Sequence, residues 1–382
     1  MLRSGSVVLS TCVSLCSAQG FVFTPVETIA ATPVRDQART GTCWSFATTS
    51  FLESELLRLG KGRFDLAEMF VVRQAYPRKA DRYVRLHGEA TLGPGGLAPD
   101  VLTVFRDYGA VPESVYGGRL PEQTKHDHGE LDAVLKGMLD AVVQRGALTS
   151  GWRDAVAGVL DAYLGAVPAT FDYEGVEYTP RSFADSLGID PAAYLCLTSY
   201  THHPFGQQVP IDVPDNWAGN TAWNVPLDDL MAVLEHALAN GFTVAWDGDV
   251  SERSCKGREG IAVLPQKAWG DRTEAERATF ASEPEPEIEV TQAVRQRQFD
   301  TYETTDDHLM HLVGMAKDQN GTLYFTAKNS SGTLRSQSAG MIQLSTAYTR
   351  AKTISILLHR DGVPAAVLAR LGLAPGATTG DR

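Results

Sequence analysis

The spacing of apolar residues changes character once along the 382-residue chain, near Tyr194. Before that point the runs follow a helical period. After it they are short, β-branched or aromatic, and bounded by turns. Helices first and strands second specify an α+β fold rather than alternating βα units. In the first half, "CWSFATTSFLESELLRLG" repeats apolar residues at Phe46, Leu52 and Leu56, with Thr42 as N-cap and Gly60 as stop. "DLAEMFVVRQAYPRKADRYVRLHG" gives a second helix, and a third runs from about Pro99 to Tyr108. Residues 124–190 read as a mostly helical pair ending in loop. In the second half, "YLCLTSY", "GFTVAWDGDV", "LMHLVGMAK", "TLYFTAK" and "KTISILLH" read as strands, with "KDQNGT" as a hairpin turn. A site in such a chain belongs in the crevice between the halves.

Composition narrows the function classes. The formal charge of -12 argues against nucleic acid as a partner, because phosphate recognition needs a basic patch. No apolar run reaches the roughly 18 residues of a membrane span. "MLRSGSVVLSTCVSLCSAQG" reads as a signal peptide cleaved after Ala18, which places the protein in the periplasm or outside the cell; a cytoplasmic leader is the alternative. Removing it deletes Cys12 and Cys16 and leaves Cys43, Cys196 and Cys255, enough for one disulfide and a free thiol. The tail 374–382 is expected to be disordered. His202 and His203 would face opposite sides of a strand, and His126 and His128 lack neighbouring ligands, so no metal is expected at either pair.

The chemistry centres on Cys43, between Gly and Trp at a helix start. The positive end of the helix dipole lowers a thiol's pKa, so Cys43 is expected to be a thiolate reactive near pH 6. Such a thiolate needs a histidine partner oriented by a third polar group. His308 opens one strand of the predicted hairpin and Asn329 closes the next. With Asp318–Gly321 as the loop, His308 lies opposite Ser331 and one diagonal from Asn329, while His311 lies on the other face. Gln37 would donate a side-chain N–H to an oxyanion, together with the backbone N–H of Cys43.

"DQARTGTCWSF" and "DHLMHLVGMA…AKNSSG" resemble the papain superfamily, and "GPGG", "SYTHHPF", "TVAWDGDVSE" and "YETTDDH" resemble its bleomycin hydrolase and aminopeptidase C branch in a short bacterial form. The resemblance implies a two-lobed papain-like fold, with a helical lobe at about 32–120, a helical insertion at about 124–190 and a barrel-like strand lobe at about 194–373. By motif position it implies Cys43 as nucleophile, His308 as base, Asn329 as its orienter and Gln37 as oxyanion donor. It also implies Gly95 and Gly96 as a substrate-backbone wall, with Trp44 beside them and the strand around Val244–Trp246 walling the side-chain pocket.

The chain departs from the pattern in three ways. The separations from Cys43 to His308 and Asn329 are 265 and 286 positions, against roughly 130–150 in the papain pattern. Thr40 stands where a disulfide cysteine is usual. Ser331 stands where a tryptophan normally shields the Asn–His contact, so a slow enzyme is expected. The resemblance implies a cysteine aminopeptidase acting on peptides through a thioester, without metal or organic cofactor, and leaves a homo-oligomer open. A weakened peptide-binding homologue and an endopeptidase are the alternatives.

Overall fold

The computed structural model describes residues 20–374. The signal-peptide and C-terminal-tail expectations fall outside them, apart from Ala374. Strand β1 (Thr24–Thr28) precedes helices α1 (Cys43–Arg58), α2 (Glu68–Arg85), α3 (Ala98–Tyr108), α4 (Gly129–Arg145) and α5 (Gly151–Leu164). The expected loop after α5 instead contains a hairpin, β2 (Phe171–Tyr173) with β3 (Val176–Tyr178), and helix α6 (Pro180–Leu187). Thr179 caps α6 by accepting from the Ser182 N–H, and Pro180 opens it.

Helix α1 is buried along Cys43–Leu56 because it is wedged between the lobes. A helix buried all round must satisfy its polar residues internally. Glu53 accepts from the Thr32 hydroxyl at 2.5 Å and from the Leu66 N–H at 2.9 Å. Ser50 meets His311 Nδ1 at 2.8 Å and Lys328 Nζ at 2.7 Å. His311 is thus committed to the lobe interface, on the side of its strand that faces α1.

The second half adds β4 (Tyr194–Thr198), β5 (Gln208–Pro210), β6 (Thr221–Asn224), helix α7 (Leu227–Ala239), β7 (Val244–Gly248), β8 (Cys255–Lys256) and β9 (Ile261–Ala262). Then come β10 (His308–Lys317), β11 (Leu323–Lys328), β12 (Met341–Ser345) and β13 (Thr353–His359). They form one mixed sheet in the order β5-β6-β4-β13-β7-β10-β11-β12-β9-β8, with β1 added to β10. The sheet ends at β5 and β8 without closing, so the expected barrel-like lobe is an open sheet. One core joins the helices to the inner face of the sheet, including Ala245, Leu309 and Leu357. The other packs α7 against Val244, Trp246, Met310 and Ile356 on the opposite face.

The hairpin of β10 and β11 reaches the expected pairing by an unexpected route. Lys317 pairs with Leu323, one residue further on than a loop of Asp318–Gly321 allows. Asp318 holds that longer turn by accepting from the N–H groups of Asn320 and Thr322 at 2.9 and 2.8 Å. A bulge between Leu312 and Gly314 then restores the count, so His311 faces Lys328 and Asn329 follows directly.

Candidate active site

Cys43 is the first residue of α1, and Thr42 Oγ1 is engaged with Thr40 rather than capping the helix. The thiol therefore meets the helix end directly, and the N–H groups of Leu309 and Trp44 both bear on it. The thiol is nevertheless not depressed. Burial, with Asp306 and Asp215 adding, pushes it up to about 12 against those two N–H groups. This direction runs against the expected thiolate: burial favours the protonated thiol of Cys43, which is 8% exposed.

His308 opens β10, beside the Leu309 N–H that bears on the thiol. Its Nε2 meets Asn329 Oδ1 at 2.8 Å. Nε2 must carry the proton in that pair, because the amide oxygen only accepts. Nδ1 is then the nitrogen left to exchange a proton with Cys43. Burial lowers the His308 pKa, opposed by Asn329 and Asp307. Burial thus favours the neutral form of both the thiol and the imidazole.

The arm before α1 is stitched to the end of β11. The Gln37 N–H donates to the Ser330 carbonyl at 2.8 Å, and the Gly332 N–H donates to the Arg35 carbonyl at 3.0 Å. Gln37 Oε1 accepts from Ser330 Oγ at 2.5 Å, and its Nε2 donates to the Thr40 carbonyl at 2.8 Å. These bonds fix the amide orientation and leave one Nε2 hydrogen for an oxyanion. Gln37, His308 and Asn329 share the lining of a cleft of about 760 Å³ with Ser331 and Leu334. Ser331 is exposed and Leu334 is 94% exposed, so no bulky side chain takes the place of the missing indole.

The glycine wall lies on the other side of Cys43. A Cβ on Gly96 would stand 3.0 Å from the Trp44 ring, and one on Gly95 would fall inside the carboxylate of Asp215. Lys79 donates to the Gly93 carbonyl at 2.8 Å and also to that of Gly95, holding the loop down. Trp44 is fully buried and donates Nε1 to the Pro94 carbonyl at 2.8 Å, so it backs the wall rather than touching substrate. Val244 is also fully buried, on the α7 face of the sheet. The correction at Val244 follows from side-chain direction: successive residues of a strand point to opposite faces, so within the expected stretch Ala245, and beyond it Asp247, face the lobe interface while Val244 and Trp246 do not. Sequence reasoning missed the acidic residues Asp215, Asp247 and Asp306, which come from a loop, a strand and the residues just before His308, and the cleft-lining Arg258 and Arg335.

The histidine pairs differ from expectation. His202 and His203 sit in a turn, and both direct Nε2 at Asp212 Oδ2, at 3.2 and 2.7 Å. Gln296 argues against a metal there. Its Oε1 accepts from the Thr201 N–H at 2.5 Å, so its Nε2 is the atom that donates to His202 Nδ1 at 2.9 Å. His202 therefore keeps its proton on Nε2, where a metal would have to bind. His126 and His128 lie in the loop before α4, as expected, but are buried there, and burial lowers both pKa values.

Comparison with known proteins agrees with this arrangement. No family model matches the chain. Cysteine proteinase 1, mitochondrial, of Saccharomyces cerevisiae (strain ATCC 204508 / S288c) is 23% identical over 271 residues, covering 58% of this chain and 56% of that protein. The matched segment thus spans little more than half the length of this relative. The crystal structure of PepW from Lactobacillus rhamnosis HN001 superposes with a TM-score of 0.70 at 18% identity, covering 94% of this chain and 88% of that one, which establishes the shared fold. Together these similarities give the chain a papain-like fold and a likeness to cysteine proteinases, in keeping with the motifs around Cys43, His308 and Asn329.

Proposed function

We propose that the protein is a cysteine peptidase that removes the first residue of peptides through a thioester on Cys43. The observation that carries the reading is the bond from His308 Nε2 to Asn329 Oδ1 at 2.8 Å, made beside a thiol at a helix N-terminus. It fixes the imidazole with Nδ1 unprotonated. In the reaction, Cys43 Sγ adds to the carbonyl carbon as its proton passes to His308 Nδ1. The oxyanion meets the Cys43 N–H and the remaining Gln37 Nε2 hydrogen. The imidazolium then protonates the departing amine, and water cleaves the thioester with His308 as base. A neutral resting pair is compatible with this sequence, because the proton moves only as the bond forms.

Aminopeptidase action, rather than cleavage within a chain, is proposed from the resemblance to the bleomycin hydrolase and aminopeptidase C branch. The test compares fluorogenic aminoacyl amides with their N-acetyl counterparts. Preference for the free amine by at least about tenfold is expected, and equal turnover overturns the aminopeptidase reading. Peptides are the proposed substrates. Among the described residues no helix is long and apolar enough to cross a membrane. An exported location is proposed from residues 1–18 alone.

A further inference from the structure

We propose that Arg258 and Arg335 form a carboxylate-binding subsite on the departing side of the cleft, where they recognise an anionic group on the peptide segment released by cleavage. The proposal rests on the peptidase reading and names a substrate class within it: peptides with a carboxylate close behind the scissile bond.

The chemistry fixes which side this is. His308 protonates the departing amine, so the departing segment lies along His308. The cleft of about 760 Å³ that His308, Asn329 and Gln37 line is also lined by Arg258 and Arg335. Gly95 and Gly96, on the other side of Cys43, do not line it.

Both arginines are built onto the frame of the catalytic hairpin. The Asn329 N–H donates to the Gly340 carbonyl at 3.0 Å, so the loop that carries Arg335 is closed by the residue that orients His308. Within that loop Ser336 Oγ accepts from the Gly340 N–H at 2.9 Å. Arg258 sits in the turn between β8 and β9, which the Gly260 N–H closes by donating to the Lys256 carbonyl at 2.8 Å. The turn and the loop are joined to each other. The Gln337 N–H donates to the Arg258 carbonyl at 2.8 Å. Gly260 has a φ of +79°, and a Cβ there would stand 2.3 Å from Ser338 Oγ, so only glycine permits this close approach.

The charges of the two arginines are uncommitted. Elsewhere on the rim, Arg39 pairs with Asp127 at 3.5 Å and Lys125 with Asp36 at 3.0 Å. Arg258 and Arg335 are exposed, and neither guanidinium makes an ion pair or a hydrogen bond among the described residues. In a chain of formal charge -12, two unpaired guanidinium groups in the cleft of the catalytic base reverse the sign locally.

A guanidinium fork matches a carboxylate, and a peptide presents one in two places: at the C-terminus of a short chain, or on an aspartate or glutamate just after the scissile bond. Both arginines are exposed, so the preference is modest and weakens with salt. The carboxylate keeps its charge as the thioester forms. The contact therefore holds ground state and transition state alike and is read in KM.

The test measures kcat and KM for two pairs of peptides, by chromatography of the products. The first pair is Ala-Ala-Ala and its C-terminal amide; the second is Ala-Glu-Ala-amide and Ala-Gln-Ala-amide. Wild type, Arg258→Gln and Arg335→Gln are compared, with melting temperature certifying each variant. The expected result is a wild-type preference of about two- to fivefold for the carboxylate member of at least one pair, carried by KM. That preference shrinks towards unity at about 0.5 M salt and in one or both variants. Preference in the first pair assigns the chain terminus as the ligand, and preference in the second assigns the acidic side chain. Equal turnover within both pairs, a preference unmoved by salt, or one that survives in every folded variant overturns the subsite and leaves the peptidase reading intact. No cleavage of any of the four peptides overturns that reading, and the subsite with it.

Discussion

The cleft has two ends that meet at Cys43, and they are built from opposite materials. Toward Gly95 the wall is close-packed: Trp44 backs Gly96, Lys79 pins the loop, and the carboxylate of Asp215 sits over Gly95. Toward Ser331 the cleft is open, and its rim carries exposed Arg258 and Arg335 together with Arg39 and Lys125, which pair with Asp127 and Asp36. One end is acidic and dry, the other basic and wet. A buried charge acts strongly on its neighbours, whereas an exposed one is screened within about 8 Å at physiological salt. The acidic end is therefore suited to holding one geometry, the basic end to weak, salt-dependent attraction of whatever leaves.

The largest expected effect is at the junction of the two ends. Cys43→Ala removes the nucleophile and should lower kcat by at least about 10³-fold on any peptide substrate. A smaller loss in a well-folded variant breaks the covalent account for both ends together.

The next effect probes the open end. Asn329→Ala removes the partner that fixes the His308 tautomer. A hydrogen bond to a charged group contributes about 1.5–3 kcal/mol, so kcat/KM should fall roughly 10–100-fold. Ser331→Trp acts in the opposite direction at the same place. Covering the His308–Asn329 contact lowers the local dielectric and should raise kcat/KM by up to about tenfold. A folded Ser331→Trp variant without gain shows that water at this end does not limit the reaction.

The smallest effect belongs to the dry end and is read as stability. Burial, with Asp215 and Asp307 adding, pushes Asp306 up to about 7 against its bond with Asp247. An unfolded aspartate titrates near 3.9. Between about pH 4 and 7 the folded chain keeps a proton that the unfolded chain has released, so stability falls as pH rises through that window. Asp306→Asn cannot ionise and should flatten this fall, raising the melting temperature at pH 8 by a few degrees. An unchanged pH profile means that Asp306 is not held neutral by its surroundings.

The two ends also differ in how far the sequence discloses them. The open end is legible because its parts are local: Gln37 and Cys43 share one arm and helix, and His308 and Asn329 share one hairpin. Even there two departures cancel, since the longer turn at Asp318 and the bulge before Gly314 together return His308 and Asn329 to the expected neighbourhood. The dry end is illegible because Asp215, Asp247 and Asp306 are far apart in sequence, and each sits in a run that reads as ordinary turn or strand. Val244 and Asp247 share a strand, and only the face chosen by packing decides which meets the cleft. The open sheet escapes notice for a similar reason: two- and three-residue strands such as β5, β8 and β9 carry too few residues for a period. Helix α7, by contrast, carries a clear helical spacing at Leu227, Leu230, Leu234 and Leu238; a reading that gives the second half to strands passes over it.

The central claim is that Cys43 carries the acyl group. Rapid acid quench of the enzyme with an alanyl ester, followed by intact mass and peptide mapping, tests it most directly. The account predicts a transient mass increase of one alanyl group mapping to Cys43, absent in Cys43→Ala and longer-lived in Asn329→Ala. Turnover without any adduct on Cys43, or an adduct that persists in Cys43→Ala, would contradict it.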